Sequence, residues 1–177
     1  MDIFCQAETV LKDVIIHRTD NFFVVHDGFP LVEGHLFLIP KFHQDCFLNM
    51  HKKYLREYEA LIKMIVAFLR DQYQDPVLFE HGIIAQTIPH AHLHFLPTSK
   101  SILNVIKQVA IPMRKPKTPY LLYGKQGKIT YYNVVNQIEP GFLHKTFAET
   151  LRRPIIAKER AIDAKKWMKN VKDKWDK

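Results

Sequence analysis

The sequence predicts an α+β fold: an antiparallel sheet of about five strands, one long helix packed across it, and a C-terminal helical extension. Three observations lead there. Short runs of β-branched and aromatic residues, punctuated by Gly, Pro and Asp, fill residues 13–39 and 77–97, the pattern of strands joined by turns. One stretch, 49–74, has the 3.6-residue period of an amphipathic helix. A basic amphipathic segment follows Pro154. The 177 residues suffice for one sizeable core with an appendage. We therefore divide the chain into a domain over 1–111 and an extension over 112–177, a hairpin and basic helices packed on that domain or on a second subunit.

The elements follow in order. Residues 13–17, Asp-Val-Ile-Ile-His, and 21–26, Asn-Phe-Phe-Val-Val-His, flank Arg18-Thr19-Asp20 as a hairpin. Gly28-Phe29-Pro30 is a turn, and His35–Ile39 is a third strand closed by Pro40. His35, Phe37 and Ile39 share a face of it. Next, Leu55, Tyr58, Ile62, Ile65 and Leu69 line one helical face, widened by Leu61 and Phe68. Asn49 is placed to cap that helix, and Asp75-Pro76 ends it. Val77–His81 and Ile88–Leu96 are the fourth and fifth strands. Ile102–Ala110 fits neither period. Pro112–Pro119 is a Pro-rich basic loop, either a solvated connection or a lid that touches phosphate. Tyr120–Tyr123 and Lys128–Val134 form a hairpin around residues 124–127. A helix begins at Glu139-Pro140-Gly141 and runs through Leu151. In the last helix Ala164, Trp167, Met168, Val171 and Trp175 form a stripe. Its ordinary use is docking on the domain or a second subunit; its sharper one is a membrane surface or nucleic acid.

Composition narrows the function classes. Hydrophobic residues make up 47% of the chain, yet no apolar run approaches the roughly 20 residues that span a bilayer. Met1-Asp2-Ile3-Phe4-Cys5-Gln6 has neither a basic nor an apolar leader segment, so we expect a cytoplasmic protein. Cys5 and Cys46, distant in sequence, suggest reduced thiols rather than a disulfide framework. The net charge of +8 favours anionic partners. Half of it lies in the last twenty residues, which carry eight Lys or Arg against four acids.

The chemistry is concentrated in Gln86-Thr87-Ile88-Pro89-His90-Ala91-His92-Leu93-His94-Phe95-Leu96-Pro97. Its histidines alternate with apolar residues, so on a strand His90, His92 and His94 share one face. All three do not easily meet one ion, because i and i+4 on a strand stand roughly 13 Å apart, and a metal would need a further ligand from elsewhere. Neutral imidazole is a nucleophile toward phosphorus, and imidazolium neutralises phosphoryl oxygens. The pattern therefore points to nucleophilic and acid–base work on an anionic substrate.

That segment resembles the signature of the histidine-triad (HIT) family of nucleotide hydrolases and transferases, His-φ-His-φ-His-φ-φ with a glutamine four residues ahead. Val25-His26-Asp27, followed by Gly34-His35-Leu36-Phe37-Leu38-Ile39-Pro40-Lys41-Phe42-His43, is similar to the family's strand–turn–strand with its ribose-binding acid and fourth histidine. Phe79-Glu80-His81-Gly82, taken with the triad, looks like one bacterial branch. The resemblance spans Phe22 to Pro97. It implies a HIT-like fold, a small-molecule nucleotide substrate and a homodimer made by joining two sheets.

By that resemblance His92 attacks the α-phosphorus of a nucleotide derivative, and water resolves the nucleotidyl-histidine to a nucleoside monophosphate. The His90 carbonyl would fix the His92 tautomer, His35 would support His90 or His92, and His94 would meet the non-bridging oxygens. Asp27 matches the acid that accepts hydrogen bonds from ribose hydroxyls. Gln86 and Thr87 match positions that bond phosphate or leaving group. Glu80 and His81 stand where many relatives place an asparagine near ribose and phosphates, and His81 is read either as a substrate contact or as a packing residue. No metal or cofactor is required, though a divalent cation would accompany a polyphosphate. Some relatives bind zinc through an N-terminal Cys-x-x-Cys; three positions after Cys5 stands Glu8, which argues against it. His94, where transferases often carry Gln, favours hydrolysis over transfer or phosphorolysis. A nucleotide-binding module with little turnover and a basic adaptor for nucleic acid are the other readings.

Overall fold

The structure is a computed structural model and describes residues 2–177. In chain order its elements are α1 (Ala7–Val10), β1 (Ile15–Arg18), β2 (Phe22–His26), β3 (Leu36–Pro40), α2 (Leu55–Gln72), β4 (Pro76–Gly82), β5 (Leu93–Pro97) and α3 (Leu103–Val109). They continue with β6 (Ala110–Pro112), β7 (Tyr120–Lys125), β8 (Lys128–Val134), α4 (Phe142–Thr150) and α5 (Ala161–Trp175). All strands belong to one antiparallel sheet of order β1-β2-β3-β5-β4-β7-β8-β6. The class is as expected, but the sheet has eight strands rather than five. The three additional strands come from the ambiguous stretch, which resolves into α3 and β6, and from the 120–134 hairpin, which pairs with β4. Among the described residues no helix is long and apolar enough to cross a membrane.

The two-residue period of the strands divides the core into two layers. Phe22 and Val24, Leu36 and Leu38, Leu93 and Phe95 meet Leu61, Ile65 and Leu69 of α2. The intervening residues face the opposite side. There Phe79, Leu96 and Leu121 pack on Phe147 of α4, while Phe23, Val25 and Phe37 pack on Phe4 and Ala7 near α1. Val171 of α5 is fully buried with the α2 layer, and Trp175 packs on Phe68 with centroids 4.6 Å apart. The C-terminal stripe therefore docks on its own chain.

Three boundaries differ from expectation. The fifth strand begins at Leu93 rather than Ile88, because the chain bends at 87–90, where His90 N–H donates back to Ile88 O at 2.8 Å. His90 and His92 thus precede the ladder, and only His94 lies within it. Helix α2 begins at Leu55 after two 3₁₀ turns, and Asn49, at the end of the first, does not cap it. The hairpin turn is only Gln126-Gly127, both at positive φ (51° and 78°), the tight geometry that suits a right-twisted ribbon.

Parity also places Glu80. It is fully buried on the α2 side, accepting from Phe47 N–H at 3.0 Å and from Tyr120 O–H at 2.6 Å. Gly82 makes room for that tyrosine; a Cβ there would stand 2.2 Å from its ring. Burial outweighs both hydrogen bonds and raises the Glu80 carboxyl to about 7. An unfolded chain releases this proton near pH 4.5, whereas the folded chain keeps it until about 7. Stability is therefore expected to fall between those pH values, by on the order of 3 kcal/mol. Glu80→Gln should flatten that loss in urea unfolding at pH 5 and 8. An unchanged pH dependence would refute the assignment.

Candidate active site

The strand ends on the α4 side converge on a cleft of about 680 Å³. His92 and His94 form its floor, and His81, Thr87, Asp27 and His144 its polar rim. His92 Nδ1 donates to the His90 carbonyl at 2.7 Å. A carbonyl can only accept, so the proton is on Nδ1 and the lone pair on Nε2. Nε2 has no hydrogen-bond partner among the described residues. Burial pulls this imidazole down to about 4, reinforced by His90 and His144 nearby, so it is neutral at ordinary pH.

His94 stacks on Phe79 with centroids 4.1 Å apart, and burial together with the surrounding imidazoles holds it well below its usual value. Its Nδ1 lies 3.1 Å from His35 Nε2. His35 was expected to support His90 or His92, but it meets His94. The register explains this: β3 pairs with β5 so that Phe37 opposes His94, whereas His90 lies in the bend before the ladder. His35 Nδ1 lies 3.1 Å from Asp27 Oδ2, with Leu31 N–H also directed at it from 3.4 Å. Burial lowers His35 to about 3 despite the carboxylate.

Asp27 reaches the cleft with its carboxylate already engaged. Phe29 N–H donates to Oδ1 at 2.8 Å and His144 Nε2 approaches Oδ2 at 3.2 Å. Burial alone would raise its pKa, but His35, His144 and the Phe29 N–H hold it well below the carboxylate range. His81 lines the cleft, and its Nε2 accepts from Leu143 N–H at 3.1 Å at the start of α4, the hydrogen-bonding role among its two readings. Thr87 lines the cleft, whereas Gln86 turns away and donates to Asp45 O at 2.7 Å. Glu80 is not in the cleft at all, because adjacent strand residues face opposite sides, and its expected substrate contact is corrected to a core role.

Two clusters offer metal-ligand atoms. In the first, Asp2, Cys5, His43 and His90 each bring one such atom within 4.8 Å of the others. His90 Nε2 donates to Pro40 O at 3.0 Å, which leaves the Nδ1 lone pair facing Asp2 Oδ1 at 3.2 Å and Cys5 Sγ at 3.5 Å. The His90 Nδ1 lone pair and the Asp2 carboxylate thus face one another as acceptors, an arrangement that a metal ion would reconcile. A thiolate, two imidazoles and a carboxylate form a donor set that zinc takes. The Cys5 thiol donates to Asp2 Oδ2 at 3.0 Å. In the second cluster, Asp27, His35 and His94, His35 turns one ring nitrogen to each neighbour. That is a chain of contacts rather than a cage.

Sequence reasoning missed His144 and Arg160. Both line the cleft, and Arg160 is only 1% exposed. No spacing in the sequence sets them apart from other polar residues on amphipathic segments.

The HIT domain family model matches residues 8–101. An uncharacterized HIT-like protein of Mycoplasma genitalium is 29% identical over 54% of this chain and 71% of its own length. One of Saccharolobus solfataricus is 24% identical over 70% of this chain and 91% of its own. Among solved structures, a hypothetical histidine triad nucleotide-binding protein of Sulfolobus tokodaii superimposes with a TM-score of 0.52 at 18% identity. That superposition covers 98% of this chain and 91% of the other, so the shared fold continues past residue 101.

Proposed function

Since the chain belongs to the HIT domain family, we propose that it is a nucleotide hydrolase acting at an α-phosphorus through His92 and releasing a nucleoside monophosphate. The observation that carries this reading is the His92 imidazole, neutral, fixed by the His90 carbonyl at 2.7 Å, with its Nε2 lone pair at the cleft floor. Nε2 attacks phosphorus, and the bond from phosphorus to the leaving group breaks as that group takes its electron pair. Water then adds to phosphorus and gives up a proton to solvent, and the N–P bond breaks with its electron pair returning to Nε2, which leaves His92 neutral with its proton still on Nδ1. Dividing one difficult displacement into two lowers each barrier. His94, 5.1 Å from His92 between ring centroids, stands beside the same phosphorus, where the substrate's charge favours its protonated form.

The reaction so written needs no resident cofactor, and a divalent cation would arrive with a polyphosphate substrate. A zinc ion held by Asp2, Cys5, His43 and His90 would be structural, tying the N-terminal segment to His90.

Incubation with diadenosine polyphosphates and adenosine phosphoramidates should release AMP. Rapid quenching should show an acid-labile adduct of nucleotide mass on His92. Nucleotide binding with neither product nor adduct would favour a binding module instead. Absence of binding would overturn the proposal.

A further inference from the structure

The cleft changes character across the sheet. Val25 of β2 and Phe37 of β3 lie to one side of His92 and His94, with Phe4, Leu11 and Val14 packed around them. His81 of β4 lies to the other side, where the chain beyond residue 101 supplies the wall. Gly141 N–H donates to Ala85 O at 2.8 Å and Leu143 N–H to His81 Nε2 at 3.1 Å, which fixes the first turn of α4 against the segment leading to the triad. Lys145 folds back along that turn. A Cβ on Gly141 would stand 3.9 Å from Lys145 Cε and 3.4 Å from Thr87 Cγ2, so the two side chains are neighbours at the β4 end of the cleft. Arg160 and Lys145 are the permanently charged cations of the lining. Arg160 is 1% exposed and spends its donors on Phe29 O, Pro154 O, Ile155 O and His144 Nδ1. Lys145 has no hydrogen bond or ion pair through its ammonium among the described residues, which leaves it the free positive charge of the cleft.

We propose that Lys145 contacts the leaving group of the substrate and makes the cleft prefer an anionic one, a phosphate or polyphosphate, over a neutral amine. This rests on the hydrolase reading of the same cleft. The strand order separates the two ends of the substrate. Its organic body finds apolar surface on the β2 side of the histidines, and the leaving group finds Lys145 on the β4 side. When the bond from phosphorus to a leaving oxygen breaks, that oxygen keeps the electron pair and departs with its negative charge. An ammonium beside it stabilises charge that grows during the step, so the gain appears in the transition state. A leaving amine takes the same electron pair together with a proton from water, and departs neutral. It offers Lys145 no charge to stabilise. Because Lys145 is exposed, water and salt screen part of the effect.

The test measures AMP release by the full chain from diadenosine tetraphosphate, whose leaving group is ATP, and from adenosine 5′-phosphoramidate, whose leaving group is ammonia. The quantity read is the ratio of kcat/KM for the first to that for the second. Lys145→Gln, which keeps an uncharged donor and a good helix former, should lower that ratio about tenfold. Lys145→Arg keeps the charge and should hold the ratio within about threefold of wild type. Added salt should lower the wild-type ratio more steeply than that of Lys145→Gln. Where the tetraphosphate alone is cleaved, its kcat/KM should fall about tenfold in Lys145→Gln and recover in Lys145→Arg. A Lys145→Gln ratio within about twofold of wild type, whether both rates hold or fall together, would overturn the assignment and leave the hydrolase reading intact. So would a wild-type protein that cleaves only the phosphoramidate. If wild type releases AMP from neither compound, the hydrolase reading falls and takes this assignment with it.

Discussion

Replacing His92 with alanine is expected to lower turnover by on the order of 10³-fold or more, and to remove the nucleotide adduct altogether. No neighbour can take over the attack. His90 uses Nε2 on the Pro40 carbonyl, and its Nδ1 faces Asp2 and Cys5. His94 is packed face to face on Phe79, with Nδ1 directed at His35. The variant should remain folded, since the ring makes one hydrogen bond, to the His90 carbonyl, and edge or tilted contacts with Phe4 and Phe37. Leaving that carbonyl unpaired costs about 1–3 kcal/mol. Circular dichroism and urea unfolding would separate loss of fold from loss of chemistry. A folded His92→Ala protein with near-native turnover would place the nucleophile elsewhere.

The largest stability change is expected at Phe79. This ring, fully buried on β4, lies nearly parallel to His94 at 4.1 Å and tilted by 30° against Phe147 at 5.2 Å, so it joins the sheet, the site and α4. Truncation to alanine should cost about 3–5 kcal/mol, from lost burial and from the cavity left behind. Phe79→Leu, which keeps most of the volume, should cost about 1 kcal/mol. Turnover in the folded fraction of Phe79→Ala should also fall, because one face of the His94 ring loses its packing. Chemical denaturation checks the first statement, and rates normalised to folded protein check the second. A loss below about 1 kcal/mol in Phe79→Ala would contradict the packing described.

Much of this arrangement is legible in the residues, for identifiable reasons. Runs of β-branched and aromatic residues between turns placed β1 to β4 within one or two residues; of the α2 stripe Ile65 and Leu69, with Leu61 beside them, form the buried face, while Leu55 at its head is exposed. Local pattern says nothing of pairing partners. The 120–134 hairpin was visible, but its bonding to β4, some forty residues earlier, was not. The start of β5 was misjudged because Pro89 and the bend around it break an alternation that sequence alone shows as continuous. Glu80 and His81 show the limit most sharply. They are neighbours, equally polar, and only the register decides that one enters the core and the other the cleft. His144 and Arg160 carried no local signal, since what makes them important is Asp27, more than a hundred residues away.

Strand β4 is hydrogen-bonded on both flanks, to β5 and to β7. Its backbone has no open side left for another chain. A second copy that joined sheet to sheet would have to add at one of the two outermost strands, β1 or β6. Of these, β6 has three residues and ends in a proline that offers no amide hydrogen. Self-assembly through strand addition is thereby narrowed to the four-residue rim at Ile15–Arg18.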